Sequence, residues 1–256
     1  MAHWKERFSL TNRTALITGA SSGIGFAIAE VFADAGAKII AHGRTVQKLD
    51  KLRERLALCS DSFTSISADF STPAGVQELV MKAFQSHQQI DILVNSAGVS
   101  LTGAAVEFDL DQWQTSLAIN LTAPFLLSRA LLPGMINRKM GKIISISSQT
   151  GVIALENHSA YAASKGGLNA LTKVLMTEAA PHNVQVNAIC PTVILTEMGR
   201  KLWSLPERKE PFLARTPLGR FGEPEEIADM ALYLASPASD LVNGALMMIE
   251  GGYSSI

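Results

Sequence analysis

Read along the chain, short apolar runs give way to longer stretches in which apolar residues recur at helical spacing, and the two patterns alternate almost from end to end. The runs predict strands and the stretches predict helices. Runs opening at Ala15 and lying at 37–41, 63–68, 90–94, 142–147, 184–190 and 245–249 make seven strands. Helices are expected between them at 26–35, 47–58, from Pro73 onward, from Asp111 toward Leu132, at 159–180 and at 225–235. The punctuation agrees. Gly36 stops the first helix, Ser71-Thr72-Pro73 supplies a cap and a first-turn proline, Asp111 caps the long central helix, Pro124 kinks it, and Pro224 opens the last one. Strands separated by helices need crossover connections, so the expected fold class is α/β: a Rossmann-type, doubly wound, mostly parallel seven-stranded sheet with helices on both faces. Residues 192–222 break the alternation. They carry Trp203, three prolines and many charges, are too long for an ordinary connection, and are expected to form a lid or substrate loop.

Composition narrows the picture. The chain has 256 residues, 47% of them hydrophobic, with no Pro/Gly/Ser-rich linker, run of like charges or internal repeat, so one domain over 1–256 is expected. A net charge of −1 leaves no basic footprint, which argues against nucleic acid or an anionic membrane as partner and favours a small molecule. The N-terminus is charged early and no apolar run approaches the ~20 residues of a membrane span, so a cytoplasmic location is expected. Cys59 and Cys190 are far apart and lack metal-ligand spacing. They are read as ordinary buried thiols, with neither a disulfide nor a metal site.

The first strand runs into Thr18-Gly19-Ala20-Ser21-Ser22-Gly23-Ile24-Gly25. Three glycines free the backbone for positive φ and clear the helix start of Cβ atoms, which lets its amides approach a pyrophosphate. The spacing differs from the commoner Gly-x-Gly-x-x-Gly. Ligands of such sheets bind beyond the carboxyl ends of the strands, where this chain places Asn95-Ser96-Ala97-Gly98 and Ser147-Ser148-Gln149. On the following helix, Tyr161 and Lys165 stand at i and i+4 and face the same way. An ammonium beside a phenol favours the phenolate and lowers its pKa. With Ser148 on the substrate oxygen, that pair suits acid/base support of hydride transfer. About 20 positions beyond the glycine turn, where an acidic residue would read the 2′-hydroxyl of NAD, stands Gly43. Arg44 follows it and can grip a phosphate bidentately, with Ser21 and Ser22 as further donors, which predicts NADP with NAD possible.

Together these features resemble the short-chain dehydrogenase/reductase family over nearly the whole chain. The segment from Thr18 to Gly25 is similar to its nucleotide turn, Tyr161 and Lys165 to its catalytic pair, and Ser148 to its catalytic serine. The resemblance implies further roles. Asn120 would help Lys165 carry a proton-relay water, Asp69 would lie near the adenine, Asn95, Ala97 and Gly98 along the adenosine ribose, and Ile194 and Thr196 near the nicotinamide carboxamide. Two positions depart from the family pattern: Ser96 stands where a second asparagine is usual, and Thr192 where Pro-Gly is usual after the sixth strand. The tail at 215–226 with 242–244 resembles the gluconate 5-dehydrogenase branch of sugar and polyol enzymes. It also occurs in 3-oxoacyl-carrier-protein reductases, for which Arg129, Arg138 and Lys139 are the candidate docking cations. The implied activity is NADP-dependent interconversion of a secondary alcohol and a ketone by a homotetramer. A nucleotide sensor without turnover is the alternative, and the intact Ser148, Tyr161 and Lys165 speak against it. Gln149, Leu155, Asn157, His158, Met198 and Trp203 are expected to wall the substrate pocket.

Overall fold

The computed structural model describes residues 3–56 and 62–256. Along the chain it runs α1 (Trp4–Arg7), β1 (Thr14–Ile17), α2 (Gly23–Asp34), β2 (Lys38–Gly43), α3 (Val46–Leu56), β3 (Phe63–Ser67), α4 (Pro73–Ser86), β4 (Ile92–Asn95), α5 (Leu110–Leu117), α6 (Ala123–Arg138), β5 (Gly141–Ile146), α7 (Ser159–Ala179), β6 (Val184–Pro191), α8 (Glu197–Leu202), α9 (Pro206–Ala214), α10 (Pro224–Ala235) and β7 (Leu246–Ile249). All seven strands pair in parallel in the order β3-β2-β1-β4-β5-β6-β7. The order reverses between β1 and β4. That switch point opens a crevice beyond the carboxyl ends of the strands.

The sheet is buried on both faces, which is why its strands read as continuous apolar runs. In β1 the pleat divides the two cores: Ala15 and Ile17 join the cluster of Ile28, Phe32 and Leu234 under α2 and α10, whereas Leu16 joins Leu79, Leu127 and Leu175 under α4, α6 and α7.

Several boundaries depart from expectation, each for a local reason. Helix α2 starts at Gly23 rather than 26, so the glycine turn is itself the first helical turn. Asp109, not Asp111, caps α5, its Oδ1 accepting from Gln112 N at 2.9 Å. The bend near Pro124 is a π-turn at Ala118–Thr122, placed where the missing N–H of proline interrupts the ladder. Counted through that turn, Leu110–Arg138 spans 29 residues and holds an 18-residue window of mean hydropathy 1.3, long and apolar enough by length and composition to cross a membrane, contrary to the reading that no such run exists. Half of its apolar window lies inside the protein, which accounts for that composition as an interior helix. The short α1 was not expected, and Cys59 together with the expected helix end at 58 falls outside the described residues. Cys190 is buried, as expected.

The segment at 192–222 is helical. Trp203, between α8 and α9, packs edge-on against Phe212 and Phe221 with ring centroids 4.9 and 5.3 Å away, and Phe212 stacks on Tyr253 at 4.8 Å. This aromatic cluster anchors the insertion over the ends of β5 and β6.

Candidate active site

Two cavities share the crevice. The first, about 550 Å³, brings together Gly19, Ser21, Ser22, Gly23, Ile24, Gly25, Arg44, Asp69, Ala97, Gly98 and Thr196, all candidates for the cofactor from the sequence. Its floor is made of backbone. Gly19 holds a φ of +69°, and a Cβ on Gly25 would lie 2.5 Å from the Gly19 carbonyl oxygen. Thr18 Oγ1 accepts from the amides of Ser96 and Ala97 at 3.0 Å each, fastening the turn to the loop after β4. The open start of α2 then presents its unpaired amides and positive dipole end to the cavity, an arrangement suited to a pyrophosphate.

The rim adds charge. Arg44 and Lys48 line it beside Ser21, and Lys201 with Glu197 line it from α8. Asp69 is held below the usual carboxylate range, first by the Ser71 amide (3.0 Å) and then by the Ser71 hydroxyl (2.8 Å). His42 stacks on Phe70 at 4.1 Å with Nε2 3.1 Å from the Ala68 carbonyl. Burial pushes its pKa down to about 4. Asn95 does not line this cavity: it ends β4 with its amide 3.5 Å from Ser145 Oγ and is 3% exposed. The side chains that do line it there belong to Ser96, Ala97 and Val99.

The second cavity, about 450 Å³, meets the first at Ile24, Ser96, Gly98 and Thr196. Ser148, Tyr161 and Lys165 converge on it, together with Gln149, Leu155, His158, Ile194 and Trp203. Ser148 Oγ accepts from Thr150 N at 3.1 Å and donates to Thr150 Oγ1 at 3.2 Å, which fixes the hydroxyl at the start of the turn after β5. Lys165 Nζ donates to the Ile146 carbonyl at 2.7 Å and lies 5.7 Å from the Tyr161 ring centroid. The expected lowering of the Tyr161 pKa by Lys165 is not what the structure shows. Burial pushes the phenol up, with the Ser148 hydroxyl pulling the other way, and burial brings Lys165 down to about 8. Both groups are too far from water for the ammonium alone to decide the outcome.

Asn120 sits in the π-turn. Its Oδ1 accepts from Val99 N at 2.9 Å while Nδ2 donates to Val99 O and Ser164 Oγ at 2.9 and 3.0 Å, so it ties the central helix to the β4 loop and to α7. A Cβ on Gly98 would lie 3.3 Å from Asn120 Oδ1 and 3.6 Å from Lys165 Nζ. The glycine therefore keeps the space between those groups clear. Asn169 on α7 fastens the far side of the site, donating to the Gly151 carbonyl at 3.2 Å and accepting weakly from Cys190 Sγ at 3.8 Å.

One expected wall residue is not brought in: Asn157 is exposed, with φ +64° and a carbonyl that accepts from Gly103 N. Another, Met198, has its side chain outside the described residues. Sequence reasoning missed His42, Lys48, Phe70, Glu156, Thr192 as a wall residue, and Lys201. His42 and Phe70 stand next to Gly43 and Asp69, so the rule that located those neighbours could have found them; Lys48 reaches the site from the first turn of α3, and the others from loops and the insertion. The candidate docking patch does not form beside the site, because Arg138 donates to Ile90 O and faces Asp91 at the amino ends of the strands.

Comparison with known proteins agrees with this geometry. The family model described as enoyl-(acyl carrier protein) reductase matches residues 19–254. The chain is 40% identical to D-threitol dehydrogenase of Mycolicibacterium smegmatis over 96% of its length and 95% of that protein. It is 39% identical to the NAD-dependent glycerol dehydrogenase of Listeria innocua, covering 96% of each. The crystal structure of a gluconate 5-dehydrogenase from Burkholderia cenocepacia, in complex with NADP and tartrate, superposes with a TM-score of 0.92 at 34% identity over 99% of this chain and 100% of that one. Turn, tyrosine–lysine pair, serine and sheet order point the same way, and the chain belongs to the short-chain dehydrogenase/reductase family of oxidoreductases.

Proposed function

We propose that the protein interconverts a secondary alcohol and a ketone on a sugar or polyol, with NADP(H) as the redox partner. The observation that carries this is the junction of the two cavities: a backbone cradle for a dinucleotide opens at Ile24, Ser96, Gly98 and Thr196 into the space that Ser148, Tyr161 and Lys165 share. The glycine turn closes so tightly that a side chain at Gly25 would strike the Gly19 carbonyl, which leaves the amides at the start of α2 free to hold the pyrophosphate. Asp69 and Phe70 flank the adenine position, Arg44, Lys48 and Ser21 suit an additional 2′-phosphate, and Ile194 and Thr196 border the nicotinamide end. When bound, the nicotinamide takes up or delivers the hydride.

The chain's own residues handle the proton. Ser148, whose hydroxyl is oriented by Thr150, hydrogen-bonds the substrate oxygen and fixes the carbinol carbon. Tyr161, as the phenolate, takes the hydroxyl proton during oxidation and, as the phenol, returns it during reduction. Lys165, still cationic at neutral pH with its pKa near 8, favours the phenolate with which oxidation begins and reduction ends. Asn120 holds the bent helix against Val99 and keeps the Lys165 end of the site open.

An absorbance assay of nicotinamide reduction with NADP and a panel of polyols tests this reading. Turnover with at least one polyol is expected; a panel without turnover, on protein that binds NADP, would favour the sensor alternative. The reading includes a cytoplasmic homotetramer, supported by the family and by β7, a half-buried strand at the sheet edge. Light scattering that finds a monomer would remove the tetramer.

A further inference from the structure

Sugar-type substrates come in two electrical kinds, neutral polyols or ketoses and aldonates that carry a carboxylate. We propose that this site selects the neutral kind; the inference rests on the alcohol–ketone reading above and adds the charge of the substrate to it. Among the described residues that line the substrate cavity, the fixed charges belong to Lys165 and Glu156 alone. Lys165 is 5% exposed and its ammonium is committed to the Ile146 carbonyl and to the tyrosine. It cannot also serve as counter-ion to a carboxylate at the other end of a substrate. Glu156, at the exposed side of the cavity, would repel one.

The remaining polar groups read hydroxyls. His158 Nδ1 lies 2.6 Å from the Glu156 carbonyl and donates to it, so in the neutral ring Nε2 is an acceptor. Gln149 Oε1 and Thr192 Oγ1 are buried without a partner. Both line the cavity just beyond the carboxyl ends of β5 and β6. Gln149, Thr192, the imidazole and the carboxylate can accept hydrogen bonds from hydroxyls, and none of them supplies the fixed positive charge that desolvating a carboxylate requires. The positive rim residues Arg44, Lys48 and Lys201 line the neighbouring cavity instead.

The test pairs substrates that share a carbon skeleton and differ at one end: D-glucitol with D-gluconate, galactitol with D-galactonate, and xylitol with D-xylonate, each with NADP and the full-length protein. For any pair turned over, kcat/KM should be at least tenfold higher for the neutral member. Glu156→Lys should narrow that ratio severalfold, and Glu156→Gln, which keeps the side chain's size, should narrow it less. An aldonate that matches or exceeds its polyol in the wild type overturns the charge assignment while leaving the alcohol–ketone reading in place. Ratios that neither variant moves overturn the role of Glu156. Failure of all six compounds counts against the alcohol–ketone reading, and the proposal falls with it.

Discussion

The two cavities that meet at Gly98 are built by different means. The nucleotide side is a backbone structure with a charged rim: glycines at 19, 23 and 25, the start of a helix, then Arg44 and Lys48. The substrate side is a side-chain structure, assembled from the ends of β5 and β6, the start of α7 and the aromatic cluster of the inserted segment. A backbone site recognises what every dinucleotide has in common. A side-chain site recognises one substrate class, and single residues can change its preference without disturbing the first. The difference can be broken or sharpened residue by residue.

The largest effect belongs to Tyr161→Phe. It deletes only the oxygen that moves the proton, so kcat should fall by at least ~10²-fold while NADP affinity, measured by calorimetry, stays put. Residual activity within tenfold of wild type would show that the two cavities do not divide their labour in this way.

Arg44→Ala attacks the other side. A charged hydrogen bond contributes about 1.5–3 kcal/mol, so NADP binding should weaken by roughly tenfold to a hundredfold with NAD little changed. The single change is cleaner than installing an acid at Gly43, where a Cβ would lie 2.7 Å from Ser21 Cβ and disturb the turn itself. Equal losses for both dinucleotides would assign Arg44 to the adenine or to the fold.

The remaining effect is on stability rather than on binding or turnover. His42 is 2% exposed and its pKa is lowered to about 4 from 6.5, so between those values the unfolded chain binds a proton that the folded protein refuses. Stability from this group is therefore full above pH 6.5 and lost as pH falls toward 4, by on the order of 3 kcal/mol. In His42→Leu the decline of Tm between pH 6.5 and 4 should be shallower than in wild type. An unchanged slope would mean that the imidazole beneath the nucleotide cleft titrates freely.

How much of this was legible in the sequence follows the same division. Strands buried on both faces announce themselves as apolar runs, and a turn that needs positive φ announces itself by glycine, because both constraints are local. The cap of α5 was misread because Asp109 and Asp111 are equally competent acids two residues apart, and the local sequence does not choose between them. The π-turn was invisible because it is held by Asn120 reaching Val99 and Ser164, far away in sequence. The Tyr161 shift was misjudged for a related reason: burial is a property of the folded site, whereas a neighbouring lysine can be seen in the sequence. Glu156 and Thr192 sit in loops with no periodicity, and only the packing of the insertion reveals that they face a cavity.

The central claim is that a phosphate-reading cleft feeds a cavity that oxidises neutral hydroxylated carbon. Its most direct test is the initial rate of nicotinamide reduction by the wild-type protein with a neutral polyol, measured with NADP and NAD side by side. The account predicts turnover with a kcat/KM at least tenfold higher for NADP; turnover that favours NAD, or none with either dinucleotide, would contradict it.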